Sequence, residues 1–595
     1  MKDKIFQTFD TPQRQENPSY LLEKLRQELK VKKLDGYIIP RTDFFQGEYV
    51  TPSDERLKFF TGFTGSAGFC CVLQEKASIF VDGRYRVQVK QEVSKDYEII
   101  HWPEVTLWDW LNKNLLNGIV GYDPNLHTIK EIDELGAKIT STSIQLTQTE
   151  NLIDLIWESR PDSPLGQVTE HRLNFSGETS ESKCAKISQK LRESEQKFCV
   201  LTDPESISWL LNLRGQDVPR TPVVQACAII SDDGRVDLFI QLEKTYGLSK
   251  KNLRHVFEFP FSEFKNHLRT LKGKTRIDYQ KTPIAVKESI DEYVFDDDPC
   301  LLPKAKKNNV EIRGTKKAHV RDATAVTEFL FWVSKQKPGT FTEIDAVTQL
   351  ERLRRNLPNF RDISFDTISG SGPNGALPHY RVTHKTNRVV KNGDILLVDS
   401  GAQFLDGTTD ITRSISVGSP TNEQKKFYTL VLKGMIAISK VRFPRGLAGR
   451  DIDSLARVPL WEIGHDYDHG TGHGVGVYLS VHEGPQRISR ASNIVLEEGM
   501  ILSNEPGFYK EGSFGIRIEN LLIVKKAKKL KAFSNRDMLE FETISFAPLD
   551  RKLIIKDILT KAEIDWINQY NKSILSKVVV SKECEPWLKK ETRPL

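Results

Sequence analysis

Apolar and polar positions divide the chain into blocks. In "SYLLEKLRQELKVKKL" the apolar residues recur at i, i+3 and i+4 and predict an amphipathic helix. "LDGYIIP" and "GFCCVL…ASIFVDGRY" are apolar runs bounded by turn residues and predict strands. The helical pattern "TENLIDLIWESR" then stops at the prolines and Gly166 of "RPDSPLG". The next block repeats the layout. The helix "ESKCAKISQKLRES" precedes the strand "FCVLT" and the segment "SISWLLNLRG", and the strands "VQACAII" and "VDLFI" follow around the turn "SDDG". The match predicts two copies of one α/β fold; two unrelated α/β domains are the alternative. Pro303 and the Asn pair of "LPKAKKNNVEI" mark a linker, and a long amphipathic helix follows. Strands and helices alternate from there to about residue 547. A last helix, "KAEIDWINQYNKSILSKVV", carries no visible chemistry. The expected domains are therefore 1–160, 161–307 and 308–547, with a carboxy-terminal extension at 548–595.

A chain of 595 residues is too long for one core, which agrees with this division. A hydrophobic content of 38% with 28% charged residues suits a soluble globular protein. The net charge of +6 is a small imbalance, so a solvated surface is expected rather than a nucleic-acid partner. The densest basic run, Lys525 to Lys531, reads as an exposed loop or strand end. Seven scattered cysteines without a CxxC argue against a disulfide framework and against a thiolate zinc site. The start lacks an apolar h-region and no 18-residue apolar run exists, so neither a secretory signal nor a membrane helix is expected; the cytoplasm is the default location.

Candidate chemistry lies in the third block. Half of the 12 histidines fall between His379 and His482, and "DHGTGHGVGVYLSVHEGP" sets His469, His473 and His482 in a glycine-rich loop. Nearby, Asp399 and Asp410 flank the turn "LDG" symmetrically, with a midpoint at Phe404–Leu405. Glu505 and Glu519 flank Gly512 in the same manner. Residues equidistant from a hairpin turn face each other, so each hairpin is expected to present a carboxylate pair. Like charges at close range require a proton or a cation between them. Spacing alone leaves open whether these acids hold a metal or only shape turns, as is expected of Asp406. "HEGPQ" has Gln486 where a zinc-protease motif needs its second histidine, and "SGSGPNGA" lacks the Lys-Ser/Thr of a phosphate loop. No GxSxG elbow is present. Arg517 lies two residues before Glu519, on the same strand face, where it can orient a histidine or a carboxylate. His384 is expected on the surface and His465 in a solvated loop.

At "FFTGFTGSAG", "VDGRY", "LPKAKKNNVEI", "GPNGALPHYR", "LLVDSGAQFLDGTTDITR", "HGTGHGVGVYLSVHEGP" and "SNEPGFYKEGSFGIRIEN" the sequence resembles the pita-bread metallopeptidases, most closely the large three-domain aminopeptidase P group. The resemblance covers most of the chain. It implies two creatinase-like amino-terminal α/β domains ahead of a pita-bread catalytic domain. It also implies two divalent metal ions, most often Mn²⁺, held by Asp399, Asp410, His473, Glu505 and Glu519. His379, His469 and His482 would then face the substrate with Arg517 nearby, and Glu505 would also move a proton. The glycines around His473 would keep the walls thin enough for a peptide backbone to approach. The implied reaction is release of the first residue from peptides with proline second, by a metal-activated water. Prolidase, a dipeptidase on the same scaffold, is the nearest rival. The group also implies a homodimer formed through the carboxy-terminal domain, with no nucleic acid and no membrane as partner.

Overall fold

A computed structural model of the protein describes residues 5–10, 17–140, 142–249, 251–528 and 536–595. The chain forms two compact units. One spans Pro12–Leu301; the other spans Leu302–Leu595 and also includes Phe6, Gln7 and Phe9 near the amino terminus.

The first unit opens with helix α1 (Pro18–Val31). Asn17 caps it by accepting from the Ser19 amide, and its apolar stripe buries Leu21, Leu22, Leu25 and Leu29. A six-stranded sheet follows: β1 (Gly36–Pro40), β2 (Phe69–Leu73), β3 (Ala77–Val81), β4 (Glu98–His101), β5 (Asn117–Tyr122) and β6 (Ser143–Gln148), in the order β4-β3-β2-β1-β5-β6. A second sheet contains β7 (Phe198–Leu201), β8 (Cys227–Ser231), β9 (Val236–Ile240), β10 (Val256–Pro260), β11 (Thr275–Ile277) and β12 (Tyr293–Phe295), in the order β10-β9-β8-β7-β11-β12.

The two orders are the same, position for position. The sense of pairing also agrees: the first strand of each sheet is antiparallel to the second and parallel to the fifth. The repeat expected from sequence is borne out. The copies dock through reciprocal backbone bonds: the Ile129 amide donates to Thr282 O at 3.0 Å while the Ile284 amide donates to His127 O at 3.0 Å.

The other unit begins with the long helix expected after the Asn pair: Asn308 caps helix α2 (Asn309–Lys335) in a capping box with Glu311. Lys304 and Lys307, two polar residues of the segment before it, are buried against Glu483.

Two sheets then form the frame of the unit. A three-stranded sheet runs β13 (Ile368–Ser371), β14 (Ile395–Ser400), β15 (Ile411–Ser416). A six-stranded sheet is built from β16 (Arg442–Pro444), β17 (Gly472–Gly474), β18 (Glu483–Ile488), β19 (Ile501–Asn504), β22 (Asn520–Lys526) and β23 (Met538–Thr543), in the order β16-β23-β22-β19-β17-β18. The ribbon β20 (Gly507–Lys510) and β21 (Phe514–Arg517) extends from β19 and β22.

Helix α3 (Asn422–Lys440) supplies Tyr428, Val431, Leu432 and Met435 to the core that also buries Phe508, Ile516 and Ile518. Helix α4 (Arg450–Trp461) lies against α3. Helix α5 (Lys561–Lys577) adds Ile567, Tyr570 and Ile574 to the same core. Of the basic run at 525–531, Lys525 and Lys526 end β22 and its last three residues lie outside the described residues. Among the described residues no helix is long and apolar enough to cross a membrane.

Candidate metal centre

The first hairpin joins β14 and β15 with Asp399 opposite Thr412 and Ser400 opposite Ile411. The sequence-based register placed Asp399 opposite Asp410; the observed register differs by two positions. The cause is the turn, which closes on Leu405 and Asp406 because Phe404 pairs with Gly407. A shift of two preserves the face, whereas a shift of one would have reversed it. Asp410 therefore remains a diagonal neighbour of Asp399. Asp410, Thr412 and Ser414 share one face of the strand by their period of two, and Ile411 and Ile415 turn to the core on the other.

The second hairpin has the expected register. Asn504 pairs with Asn520 on one side of the glutamates and Gly507 with Arg517 on the other, so Glu505 and Glu519 stand opposite each other. The ladder opens between them. The Glu505 amide donates instead to Thr471 O at 2.8 Å, and the Glu519 amide donates to Thr412 O at 3.2 Å. These two bonds fasten the second hairpin to the histidine segment and to the first hairpin. Arg413 reinforces the junction by donating to Glu519 O at 2.7 Å, and Tyr570 from α5 bonds Arg413 at 2.8 Å.

His473 was expected in a loop; it lies on the short strand β17. The pairing of β17 with β18 shifts at His473/Gly474, a bulge that aims the imidazole away from the ladder. The flanking glycines serve the sheet and not only an incoming peptide. A Cβ on Gly472 would stand 1.9 Å from Ser503 O, and one on Gly474 would stand 2.5 Å from Glu483 O. The His473 Nδ1 donates to Gly474 O at 2.9 Å, which leaves Nε2 to present its lone pair. That Nε2 is 3.2 Å from Glu505 Oε1 and 3.5 Å from Asp410 Oδ2.

The electrostatics of this cluster call for a cation. Burial pushes Asp399 up to about 7, although Arg517 opposes it. Burial and the charges of Asp410 and Glu505 raise Glu519 well above the carboxylate range. Burial disfavours charge on His473, but contact with Asp410 and Glu505 overrides it and raises the imidazole well above its usual value. In the bare protein, protons would have to fill the space that a metal fills. The donor set supports the metal. Asp399 Oδ1, Asp410 Oδ1 and Glu519 Oε1 are buried and accept no hydrogen bond, which is costly for a carboxylate. Ligand atoms of Asp410, His473 and Glu519 lie within 4.8 Å of one another. Carboxylate oxygens with one imidazole fit a hard divalent ion.

The remaining predicted residues surround this cluster. Arg517 is buried and forked. It donates to Asp399 Oδ2 at 2.6 Å, to the Tyr509 hydroxyl at 2.7 Å and to Pro378 O, next to His379, at 3.2 Å. The Tyr509 hydroxyl in turn meets His469 Nε2 at 2.8 Å. Burial lowers the His469 imidazole to about 4. The His482 ring stands edge-on to His473, with centroids 4.4 Å apart. His379, His469 and His482 are all half-buried. His384 and His465 are exposed, as expected.

Tyr509 was not anticipated. Its signal was present: it lies four residues after Glu505 along one hairpin arm, and the period of two puts both on one face. Thr412, which donates to Glu519 Oε2 at 2.7 Å, was readable by the same parity from Asp410.

Comparison with known proteins agrees with this geometry. Residues 313–526 match metallopeptidase family M24, and residues 537–595 match the C-terminal region of that family. Residues 22–156 and 159–311 each match a creatinase/prolidase N-terminal domain. A probable Xaa-Pro aminopeptidase P of Laccaria bicolor is 36% identical over 97% of this chain and 92% of its own length. One from Paracoccidioides brasiliensis is 37% identical over 99% of this chain and 100% of its own. The crystal structure of X-prolyl aminopeptidase from Caenorhabditis elegans, described as a cytosolic enzyme with a di-nuclear active site, superposes with a TM-score of 0.91 at 30% identity. It covers 97% of this chain and 100% of that one. The chain belongs to metallopeptidase family M24, within its group of Xaa-Pro aminopeptidase P proteins.

Proposed function

We propose that this chain is a metal-dependent aminopeptidase that releases the first residue of peptides with proline in second position. The observation that carries the reading is a buried cluster in which Asp410 and Glu505 meet His473 and Glu519 lies beside them, with three buried acid oxygens of Asp399, Asp410 and Glu519 left without a hydrogen bond. Asp399, Asp410, His473, Glu505 and Glu519 would hold two divalent ions. An oxygen-rich set with one imidazole favours Mn²⁺. Such ions, when bound, bring the pKa of a shared water near neutrality and polarise the scissile carbonyl.

The chain's own residues do the rest. Glu505 accepts a hydrogen bond from Ser503 Oγ at 3.0 Å, which fixes the carboxylate that takes a proton and returns it to the leaving proline nitrogen. Arg517 holds Asp399 at one end and Tyr509 at the other, so acid and imidazole keep fixed spacing. His379, His469 and His482 orient the peptide, and His482 donates to the oxygen on which charge develops. A proline amide has no N–H, so recognition rests on the ring and the flanking carbonyls.

The domain division near residues 160, 307 and 547 belongs to the same proposal. It is supported by separate family matches that meet near the first two positions. A cytoplasmic location is supported by seven cysteines that are all free and buried. Pairing with a second copy is supported by Leu455, Val458 and Trp461, which expose an apolar stripe on one face of α4.

The experiment is metal analysis joined to hydrolysis of an X-Pro-Pro tripeptide and an X-Pro dipeptide, with and without Mn²⁺. The expected result is two ions per chain and cleavage of the tripeptide with little cleavage of the dipeptide. Preference for the dipeptide would make the protein a prolidase. For the rim, His482→Ala is expected to retain both ions and to lower kcat by about 10²–10³, the effect of removing one oxyanion donor. An emptied metal site in that variant would reassign His482 to ligation.

A further inference from the structure

Helix α4 presents one ion pair inward, and the sequence motifs around the site do not include it. Asp453 and Arg457, one turn apart, are both almost fully buried. Arg457 Nε donates to Asp453 Oδ2 at 2.7 Å, so the guanidinium is held flat by its own helix. Its other nitrogens reach the histidine segment. Arg457 donates to Tyr467 O at 2.8 Å and to His469 O at 2.8 Å, while its plane lies 4.0 Å from the Tyr467 ring centroid. Asp453 grips the same segment further on, where it accepts from the Thr471 hydroxyl at 2.6 Å. The carbonyl of that threonine is the one that takes the Glu505 amide.

We infer that Arg457 and Asp453 form a positioning clamp for the site: Arg457 sets His469, and Asp453, through Thr471, sets the backbone from which Glu505 projects. Two physical points support a role beyond packing. Between the buried Tyr467 and Thr471 the segment is exposed at Asp468 and Gly470 and half-buried at His469, so its path there depends on bonds to its carbonyls. Arg457 supplies such bonds at alternate residues, 467 and 469. The His469 residue is thereby held at both ends, with its carbonyl on Arg457 and its ring nitrogen on Tyr509. A charged, buried fork bonded to two carbonyls is geometrically specific in a way that a lysine cannot reproduce in full.

The inference rests on the proposed activity for its kinetic readout, and a double-mutant cycle separates positioning from general damage. Arg457→Met is expected to retain both metal ions and to lose about 100-fold in kcat/KM on an X-Pro-Pro peptide, the scale of a 1 Å misplacement. Arg457→Lys should recover part of the loss. In a His469→Ala background the same Arg457→Met change should cost less than about threefold, because its effect passes through a residue already removed.

An equal loss in both backgrounds would overturn the clamp, as would full activity or loss of metal in Arg457→Met. If Arg457→Met does not fold, Arg457→Lys carries the same cycle with the same criterion. If the wild-type chain cleaves no X-Pro-Pro peptide, it is the activity that fails. The clamp is then judged by the His469 imidazole NMR resonance, identified by its absence in His469→Ala. The clamp requires that resonance to move in Arg457→Lys, and an unmoved signal refutes it.

Discussion

Asp410→Ala is expected to lose metal and peptidase activity together. Asp410 has one oxygen 3.5 Å from His473 Nε2 and another that is buried without a hydrogen bond. Its ligand atom lies within 4.8 Å of those of both His473 and Glu519. It thus serves the middle of the cluster, and its removal takes a donor from the space the ions share. Loss of a group that merely supports a ligand costs roughly 10–100-fold in metal affinity or activity; loss of a ligand itself should exceed that range.

A readout independent of turnover follows from linkage. Mn²⁺ at 100 times its Kd should stabilise the wild-type chain by about 2.7 kcal/mol per site. Asp410→Ala should gain less from the same excess of Mn²⁺. Asp406→Ala is the control. Asp406 sits four residues earlier on the same hairpin but pairs with Arg321, so that variant should lose stability and retain its metals. An undiminished Mn²⁺ shift in Asp410→Ala would remove Asp410 from the centre.

The parts of this site that sequence revealed are those governed by local period. The register of Glu505 and Glu519 followed from a turn centred on Gly512, and the observed ladder has that symmetry on both sides. The first hairpin was displaced by two positions because its turn answers to a distant partner: Asp406 meets Arg321 of α2, 85 positions earlier. Parity survived the displacement, so the acids were still assigned to the correct face. The repeated α/β fold was visible because each copy spells the same succession of helix and apolar strands.

What stayed hidden depends on contacts between segments far apart in the chain. The glycines beside His473 suggested a thin wall, but the close approach of Ser503 O and Glu483 O could not be read before the strands were paired. Arg457 carries no local signal, because the carbonyls it serves, those of Tyr467 and His469, lie beyond the end of its own helix. Lys304 and Lys307 fall in the segment read as a linker, and nothing local points to Glu483, 176 positions after Lys307.

Glu483→Gln is expected to be the most destabilising single change near the centre. Glu483 lies between His482 and the cis Gly484–Pro485 bond and pairs in the sheet with Gly474, the neighbour of His473. Its carboxylate meets Lys307, and Lys304 Nζ is 3.8 Å from its other oxygen; all three side chains are about 1% exposed. Desolvating an ammonium costs several kcal/mol, and here the Glu483 carboxylate offsets that cost for Lys307. Glutamine keeps the shape and removes the charge. The buried Lys307 ammonium then loses the carboxylate it meets, a change that costs about 3–5 kcal/mol when a buried pair is broken. Denaturant unfolding of the metal-free chain, followed in the transition of the catalytic unit, is the measurement, because a chain of two units does not unfold in one step. The decisive comparison is the double variant Glu483→Leu, Lys307→Met. Removing both charges of the pair leaves neither partner unmatched, so most of the lost stability should return. If Glu483→Gln unfolds at the wild-type midpoint, Lys307 must find water or another partner, and the pair does not secure the strand beside His482.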